Sequence, residues 1–162
     1  MKIGIVSDTH SRALPKQLLD ALKKVDLIIH AGDFCDLTVV EKLRKIKTMK
    51  AVYGNMDGPE IRKVFPRQEI VKCGKYKIGI FHGEGAPQHL LETVKNEFKG
   101  QKVDVVIFGH SHHPMNEKIG NVLFFNPGSP NDDMFAPYCS YGMIEITDNG
   151  IEGKIIKVET HG

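Results

Sequence analysis

The chain has 162 residues, of which 41% are hydrophobic, and carries 22 Lys and Arg against 20 Asp and Glu, a net charge of +2. This length and apolar content suffice for one substantial core, so we expect a single domain over residues 1–162. So small a net charge does not by itself indicate a nucleic-acid or membrane partner. No apolar run approaches the roughly 20 residues of a membrane span, and the apolar run near the first residue is too short for a signal peptide.

The three cysteines, Cys35, Cys73 and Cys139, are odd in number, widely spaced and outside any Cys-x-x-Cys pattern. This pattern argues against a disulfide framework and against a structural zinc knuckle. A reducing compartment matches this cysteine pattern best. We therefore expect a cytoplasmic protein without a membrane partner.

The first part of the chain alternates strand and helix patterns. The run Lys2–Ser7 predicts a strand, and the leucine spacing over residues 14–22 predicts a helix. The cycle repeats with a strand at Asp26–His30, a helix at Leu37–Ile46 and a third strand at Met49–Val52. Two successive βα units predict a parallel sheet.

The pattern becomes mixed after this point. Glu69–Lys72 and Tyr76–Phe81 predict an antiparallel hairpin, Gln88–Phe98 predicts a helix, and Val103–Phe108 predicts a buried strand. The remainder, Met115–Val158, predicts a β meander interrupted by turns. The whole chain therefore indicates an α/β fold with parallel and antiparallel strands.

Metal-ligating residue types follow five of the predicted strands. They are Asp8 and His10, Asp33, Asn55, His82, and His110 with His112. Because the carboxyl ends of strands line one crevice in α/β sheets, these side chains are expected to converge. Imidazole, carboxylate and amide oxygen suit zinc, manganese, iron or nickel. For the two pairs spaced i and i+2 we expect an extended backbone, which would direct both side chains to one side.

Each of these features alone also has an ordinary structural explanation. A single His after a strand is more often a satisfied polar group than a ligand, Gly32-Asp33 is a common turn, and Gly54-Asn55 also fits a left-handed turn. The sharpest feature is the sequence Gly-His-Ser-His ending at His112. The conjunction of five such features at strand ends favours one metal site.

The chain resembles the calcineurin-like metallophosphoesterases in five ordered motifs. These are Asp8-Thr9-His10, Gly32-Asp33, Gly54-Asn55-Met56-Asp57, His82-Gly83 and Gly109-His110-Ser111-His112. Their order and spacing are similar to those of the small single-domain bacterial and archaeal phosphodiesterases, and the resemblance runs from Met1 through Ser129. It implies a four-layer α/β/β/α sandwich with two mixed β-sheets and a metal site at the carboxyl ends of the strands.

The resemblance also implies two divalent metal ions, with Mn²⁺ as the first choice and Ni²⁺, Co²⁺, Fe²⁺ and Zn²⁺ as alternatives. It assigns Asp8, His10 and His112 to one ion, Asn55, His82 and His110 to the other, and Asp33 to a bridge between them. A hydroxide shared by both ions would attack phosphorus in line.

Further residue roles follow from the same resemblance. The expected catalytic set is Asp33, Asn55, Asp57 and His82. We expect Asp57 to orient a metal-ligating histidine, with a plain turn role as the alternative. The expected substrate contacts are Asn126, Gly128 and Ser129, although a Pro-Gly turn explains this segment equally well.

The sequence departs from the family pattern at Met56, where many relatives have a histidine thought to assist the leaving group. A thioether cannot donate a proton, so a general-acid contribution of about 10²–10⁴-fold would be missing from this position. Among the small family members that lack this histidine, the resemblance implies diester rather than monoester substrates, so we expect a small phosphodiester. We assign no role to the remaining polar candidates, which are Arg12, His30, His89, His113 and His161.

Two functions of different classes fit this sequence. The first is a phosphodiesterase, and the second is a catalytically weak protein-binding scaffold, because a eukaryotic sorting-complex subunit of the same fold acts in that way. The complete ligand set favours the enzyme. Nuclease activity is a weaker third alternative, since no basic stretch with interleaved aromatics is present. Self-association as a dimer or tetramer is expected from exposed strands and family behaviour.

Overall fold

The structure is a computed structural model that describes residues 1–159, so His161 lies outside the described residues. Residues 1–159 form ten β-strands and four α-helices. The strands are β1 (Lys2–Val6), β2 (Leu27–His30), β3 (Met49–Ala51), β4 (Gln68–Cys73), β5 (Tyr76–Phe81), β6 (Val105–Ile107), β7 (Met115–Ile119), β8 (Val122–Asn126), β9 (Ser140–Thr147) and β10 (Gly150–Lys157). The helices are α1 (Lys16–Leu22), α2 (Leu37–Ile46), α3 (Pro59–Arg62) and α4 (Leu90–Glu97).

The first sheet has the strand order β10-β9-β1-β2-β3. Its centre is parallel, with β1 beside β2 and β2 beside β3, as the two βα units predict. The long hairpin of β9 and β10 extends this sheet, because β9 pairs antiparallel with β1 in the register Ile3 to Ile144.

The second sheet has the strand order β4-β5-β6-β8-β7. The β4–β5 hairpin is antiparallel as predicted, β5, β6 and β8 run parallel, and β7 pairs antiparallel with β8. Both sheets are therefore mixed.

Three apolar clusters separate four layers of the molecule. One packs α1 and α2 on the first sheet through residues such as Leu18 and Leu43. The second lies between the sheets, where Ile5 and Ile80 belong to one cluster, and the third packs α4 on the second sheet through Val94. Burial of apolar side chains on both faces of each sheet stabilises this stacking. The predicted four-layer α/β/β/α sandwich is confirmed.

The prediction of one C-terminal β meander is wrong. The hairpin of β7 and β8 completes the second sheet, whereas β9 and β10 return to the first. The connecting residues 127–139 cross from one sheet to the other at the end where β1 and β6 also finish. Strand patterns alone do not state which sheet a hairpin joins, because both inner faces need apolar residues.

Other differences at the element level are small. The predicted helix Gln88–Phe98 begins as a 3₁₀ turn at Pro87–His89 and continues as α4, and the short helix α3 was not predicted. Over residues 1–159, no helix is long and apolar enough to span a membrane.

Candidate metal centre

All seven predicted ligands come together where strands of both sheets end. Asp8 and His10 follow β1, Asp33 follows β2, Asn55 follows β3, His82 follows β5, and His110 and His112 follow β6. Because β1, β2 and β3 belong to the first sheet and β5 and β6 to the second, the site lies at the junction of the two sheets. The expectation that these residues converge therefore holds across a sandwich rather than within a single sheet.

Asp8 is fully buried and its two carboxylate oxygens have different surroundings. Oδ2 accepts hydrogen bonds from Ser7 Oγ at 2.7 Å and from the backbone N–H of His110 at 3.0 Å. Oδ1 has no hydrogen-bond partner among residues 1–159. Three imidazole Nε2 atoms surround Oδ1, from His10 at 3.6 Å, His82 at 3.7 Å and His112 at 3.4 Å. A buried anionic oxygen without a partner is costly, and a bound cation would compensate its charge.

Asp33 lies between the two sets of predicted ligands. Its Oδ1 accepts the backbone N–H of Met56 at 2.9 Å. Its Oδ2 lies 3.6 Å from His10 Nε2 and 3.2 Å from His82 Nε2, and the side chain is almost fully buried. One carboxylate oxygen thus faces an imidazole from each set, which is the position that a bridging ligand requires.

Two overlapping groups offer ligand atoms that lie within 4.8 Å of one another. They are Asp8 with His10 and His112, and Asp8 with Asp33 and His82. The Nε2 atoms of His10 and His112 are 3.1 Å apart, within the range of about 3.0–3.4 Å for two nitrogens bound at about 2.1 Å to one octahedral or tetrahedral ion. Asn55 Oδ1 joins the cluster 3.0 Å from His82 Nε2 and 3.2 Å from His110 Nδ1. The donor set fits divalent transition metals.

Three of the imidazoles are oriented by hydrogen bonds on the ring nitrogen that faces away from the cluster. His82 Nδ1–H donates to the Ala31 carbonyl at 2.7 Å, His110 Nε2–H to the Gly85 carbonyl at 2.8 Å, and His112 Nδ1–H to Asp132 Oδ2 at 2.5 Å. Because these oxygens accept hydrogen bonds, the outer nitrogen of each ring carries a proton. The other nitrogen of each ring faces the cluster. Such outer hydrogen bonds fix the tautomer of a ligating histidine.

The charges of the cluster shift one another's pKa values. Burial lowers the pKa of His82, but Asp8 and Asp33 outweigh it and raise the pKa to about 9. Burial likewise disfavours the charged form of His112, whereas Asp8 and Asp132 raise its pKa to about 9. Burial alone would raise the pKa of Asp8, yet the surrounding imidazoles hold it well below its usual range. The carboxylates of the cluster therefore stabilise positive charge on the neighbouring imidazoles.

The backbone of the ligand loops is left-handed rather than extended. The residues concerned and their φ angles are Asp8 59°, His10 46°, Asp33 61°, His110 73° and His112 61°. The expectation of an extended chain at the two i, i+2 pairs is therefore wrong, and sharp turns direct these side chains instead. Non-glycine residues in this region cost about 1–3 kcal/mol each and are concentrated at functional sites.

Two glycines make room for the ligand carboxylates. A Cβ at Gly54 would overlap Asp33 Oδ1 and lie 2.7 Å from the Asp33 backbone nitrogen. A Cβ at Gly109 would overlap Ser7 Oγ and lie 2.6 Å from Asp8 Oδ2. The loops approach so closely that a side chain at either glycine would displace a predicted ligand.

Asp57 does not orient a histidine, contrary to prediction. Its Oδ2 accepts the backbone N–H groups of Asp33 at 2.9 Å and Gly54 at 2.8 Å, and its Oδ1 accepts that of Cys35 at 2.8 Å. Among residues 1–159 its carboxylate makes no hydrogen bond to an imidazole. Asp57 thus joins the loops after β2 and β3. Its carboxylate bonds to backbone N–H groups and to no side chain of a predicted ligand, so these contacts do not support its place in the expected catalytic set.

The segment Asn126–Ser129 is buried, which does not fit the predicted contact of Asn126, Gly128 and Ser129 with substrate. Asn126 Nδ2 donates to the Gly109 carbonyl at 3.1 Å, and its Oδ1 accepts the Gly128 N–H at 2.9 Å. Ser129 Oγ donates to the Asp8 carbonyl at 2.8 Å. These residues hold the ligand loops in place, and the turn interpretation is the better one.

Two polar residues beside the centre were not given a role from the sequence. Asp132 orients His112, as described above, although two acidic residues in a proline-flanked loop carry no signal that separates this role from a turn. His30 is fully buried, and its Nδ1 accepts the Gly32 N–H at 3.0 Å. Burial lowers the pKa of His30 to about 3, so this imidazole is neutral and supports the loop that carries Asp33.

The model of the calcineurin-like phosphoesterase superfamily domain matches residues 1–149. The chain is 37% identical over 164 aligned residues to a probable metallophosphoesterase of Methanocaldococcus jannaschii, covering 98% of this chain and 82% of the relative. Its fold is similar to that of an archaeal phosphodiesterase, with a TM-score of 0.78, 26% identity and coverage of 96% and 100%.

Vps29 of Entamoeba histolytica, solved in complex with Zn²⁺, has a TM-score of 0.77 at 24% identity, with coverage of 97% of this chain and 99% of Vps29, and shows a shared fold. The family match spans the loops that carry every one of the seven converging ligands. The chain therefore belongs to the calcineurin-like phosphoesterase superfamily.

Proposed function

We propose that this protein is a metal-dependent phosphodiesterase with a centre of two divalent ions. Family membership and the ligand set support a phosphoesterase that uses divalent metal. The observation that carries the proposed metal centre is the buried Asp8 Oδ1, which lacks a hydrogen-bond partner among residues 1–159 and faces three imidazole nitrogens. A structural carboxylate has no reason to be arranged in this way.

The ligands divide between two ions in this proposal. One set is Asp8, His10 and His112, and the other is Asn55, His82 and His110, with Asp33 shared between them. Two ions bound there would polarise the phosphate and supply a hydroxide for in-line attack on phosphorus. The negative charge of Asp33 would reduce the repulsion between neighbouring cations.

A preference for diesters is proposed from the resemblance to small family members that lack a histidine at the position of Met56. This side chain is 60% exposed, and the residue donates its backbone N–H to the proposed bridging carboxylate of Asp33. Its thioether has no proton to give to a departing alkoxide, so substrates with poor leaving groups should react slowly. The similar archaeal structure is itself described as a phosphodiesterase, which agrees with this preference.

We propose Mn²⁺ as the first choice of metal, with Ni²⁺, Co²⁺, Fe²⁺ and Zn²⁺ as alternatives. The thiol nearest to the ligands is that of Cys35, whose Sγ lies 3.4 Å from His10 Nδ1, on the outer side of that ring. Burial and the neighbouring carboxylates raise the pKa of this thiol to about 12. Imidazole and oxygen ligands without a thiolate suit the harder members of this series.

The scaffold function remains the rival proposal, because Vps29 shares the fold. A likeness at 24% identity gives the fold alone, whereas the seven converging ligands argue for catalysis. We further propose a single domain over residues 1–162, a cytoplasmic location and self-association as a dimer or tetramer. The substrate in this proposal is a small phosphodiester.

Hydrolysis of bis-p-nitrophenyl phosphate and p-nitrophenyl phosphate by metal-stripped protein reconstituted with Mn²⁺ tests this proposal. We expect diester cleavage that requires metal and is lost in Asp33→Ala, with Asp148→Ala, an exposed turn residue, as the control. Met56→His should add monoester cleavage, whereas Val64→His, also exposed, should not. Folded, metal-loaded protein that is inactive with Mn²⁺, Ni²⁺, Co²⁺ and Zn²⁺ would support the scaffold instead.

A further inference from the structure

A cleft of about 280 Å³ opens beside the metal centre. Its lining residues are His10, Arg12, His112, Asn131, Asp132 and Phe135. Two of these are proposed metal ligands, so a molecule in the cleft lies directly against the centre. The other four come from the loops after β1 and β8 and are not themselves proposed metal ligands.

Phe135 presents an exposed aromatic ring to this cleft. The residue is 76% exposed, although phenylalanine is among the residues most often buried. Its backbone is held in an ordered turn, because the Asp132 carboxylate accepts the N–H groups of Met134 at 2.9 Å, Phe135 at 3.0 Å and Ala136 at 3.1 Å. The same carboxylate orients His112. The position of the ring is thus linked to the metal centre by one side chain.

Arg12 places its guanidinium on the same cleft, where the Asp133 carboxylate partly balances its charge. Its Nη1–H donates to the Asn131 carbonyl at 3.2 Å and lies 3.6 Å from Asp133 Oδ1. Asn131 is itself fixed, since its Nδ2–H donates to the Thr9 carbonyl at 3.0 Å. The planar guanidinium of Arg12 and the exposed ring of Phe135 both offer flat surfaces beside the metal centre, where an anionic ester that carries a flat ring could stack while its phosphate lies at the centre.

We propose that Phe135 and Arg12 form a subsite for an aromatic ring, a nucleobase or an aryl group, attached to a phosphate that lies at the metal centre. This proposal rests on the proposed function for the position of the phosphate. Stacking of a ring on an exposed aromatic side chain strengthens binding by about 5- to 100-fold. Phosphate esters of small aliphatic alcohols lack that contribution.

The test measures binding of three monoesters to the Mn²⁺-loaded full chain by calorimetry. The esters are phenyl phosphate, thymidine 5′-monophosphate and methyl phosphate. We expect the aromatic esters to bind about tenfold more tightly than methyl phosphate. Phe135→Ala should bring this ratio close to one, whereas Met134→Ala should preserve it, because Met134 is also exposed but does not line the cleft.

A fluorescence measurement gives a second readout that is independent of turnover. The chain has no tryptophan, so Phe135→Trp introduces a single indole at the subsite. Aromatic esters should quench its emission and methyl phosphate should not. Preference for thymidine 5′-monophosphate alone would identify a nucleoside as the occupant, and preference for both aromatic esters would identify a ring of any origin.

Equal affinity for the three esters, or a ratio that survives Phe135→Ala, would overturn the subsite. If Phe135→Ala changes the molar mass of the protein in solution but leaves the affinity ratio unchanged, the ring contacts a second copy of the chain. That result would also overturn the subsite. If the protein binds aromatic esters more tightly than methyl phosphate but does not hydrolyse diesters, only the enzyme proposal is contradicted. Turnover without any preference would contradict only the subsite.

Discussion

Asp8 has one carboxylate oxygen in a fully buried position without a hydrogen-bond partner among residues 1–159. Desolvating a carboxylate costs several kcal/mol unless positive charge or hydrogen bonds compensate. In this protein the compensation comes from three imidazoles, which either carry protons or bind a cation. Asp8 is therefore suited to a metal site and poorly suited to a purely structural role.

Asp8→Asn should separate charge from shape at this position. The amide keeps the volume but removes the negative charge that the imidazoles face, so we expect Mn²⁺ affinity and diester turnover to fall by at least about 100-fold. Calorimetric titration with Mn²⁺ measures the affinity. Asp148→Asn, on an exposed turn, serves as the control, and Mn²⁺ binding to Asp8→Asn with unchanged affinity would contradict the assignment.

The raised pKa values of His82 and His112 predict opposite effects of pH on the metal-free protein and on metal binding. Because both pKa values rise from 6.5 to about 9 on folding, their contribution to stability is full below pH 6.5 and is lost as the pH rises through about 9. Metal must displace these protons, so Mn²⁺ affinity should increase over the same interval.

Two measurements check this pH dependence. The first is urea denaturation of the metal-free protein between pH 6 and 9.5, and the second is proton release when Mn²⁺ is added in weak buffer near pH 7. A denaturation midpoint that stays constant, together with Mn²⁺ uptake that releases no protons, would show that the imidazoles are neutral before the metal binds.

The elements that form the centre are the short loops after β1, β2, β3, β5 and β6 rather than the strands themselves. Five of the proposed ligands in these loops have positive φ. The strain is maintained by hydrogen bonds between loops, such as those of Asp57 and Ser129 with backbone groups. These loops therefore form one interlocked unit, in which a change at one affects the others.

Gly54→Ala tests how tightly two of these loops pack. The added Cβ would overlap Asp33, so we expect the free energy of unfolding to fall by about 1–3 kcal/mol and diester activity to be lost. The control is Gly58→Ala, where the three atoms nearest to the Cβ all belong to the flexible Glu60 side chain. Chemical denaturation measures both variants, and equal, small effects at the two glycines would contradict the close approach.

Asp132→Ala tests the loop after β8. Loss of the carboxylate frees His112 and the turn at Phe135, and we expect Mn²⁺ affinity to fall by about 10- to 100-fold. The matched control is Asp133→Ala, because the neighbouring side chain is 81% exposed and contacts only Arg12 among the ion pairs of residues 1–159. Similar losses in the two variants would assign the effect to loop charge rather than to orientation of the imidazole.

At the scale of the whole molecule, two mixed sheets bring their strand ends together around one centre. The sequence predicted the first three strands, the β4–β5 hairpin and the convergence of all seven ligand candidates, because apolar runs followed by polar residues are local patterns. The assignment of the last four strands to two sheets depends on long-range packing. The prediction of one meander for these four strands was therefore wrong.

The parts of the site that could not be predicted have a common physical cause. The left-handed backbone at Asp8 and His110 is unfavourable locally and exists only because distant loops enforce it. The role of Asp132 depends on a contact with His112 across 20 residues of sequence. Burial of Asn126 and Ser129 likewise follows from packing against the ligand loops, which no short pattern encodes.

Diester turnover measured against the number of Mn²⁺ equivalents added to metal-free protein tests the central claim most directly. If two ions act together, two equivalents should bind per chain, and hydrolysis of bis-p-nitrophenyl phosphate should rise mainly with the second. Full activity with one bound equivalent would contradict a two-metal centre. Two tightly bound equivalents without hydrolysis would contradict the phosphodiesterase itself.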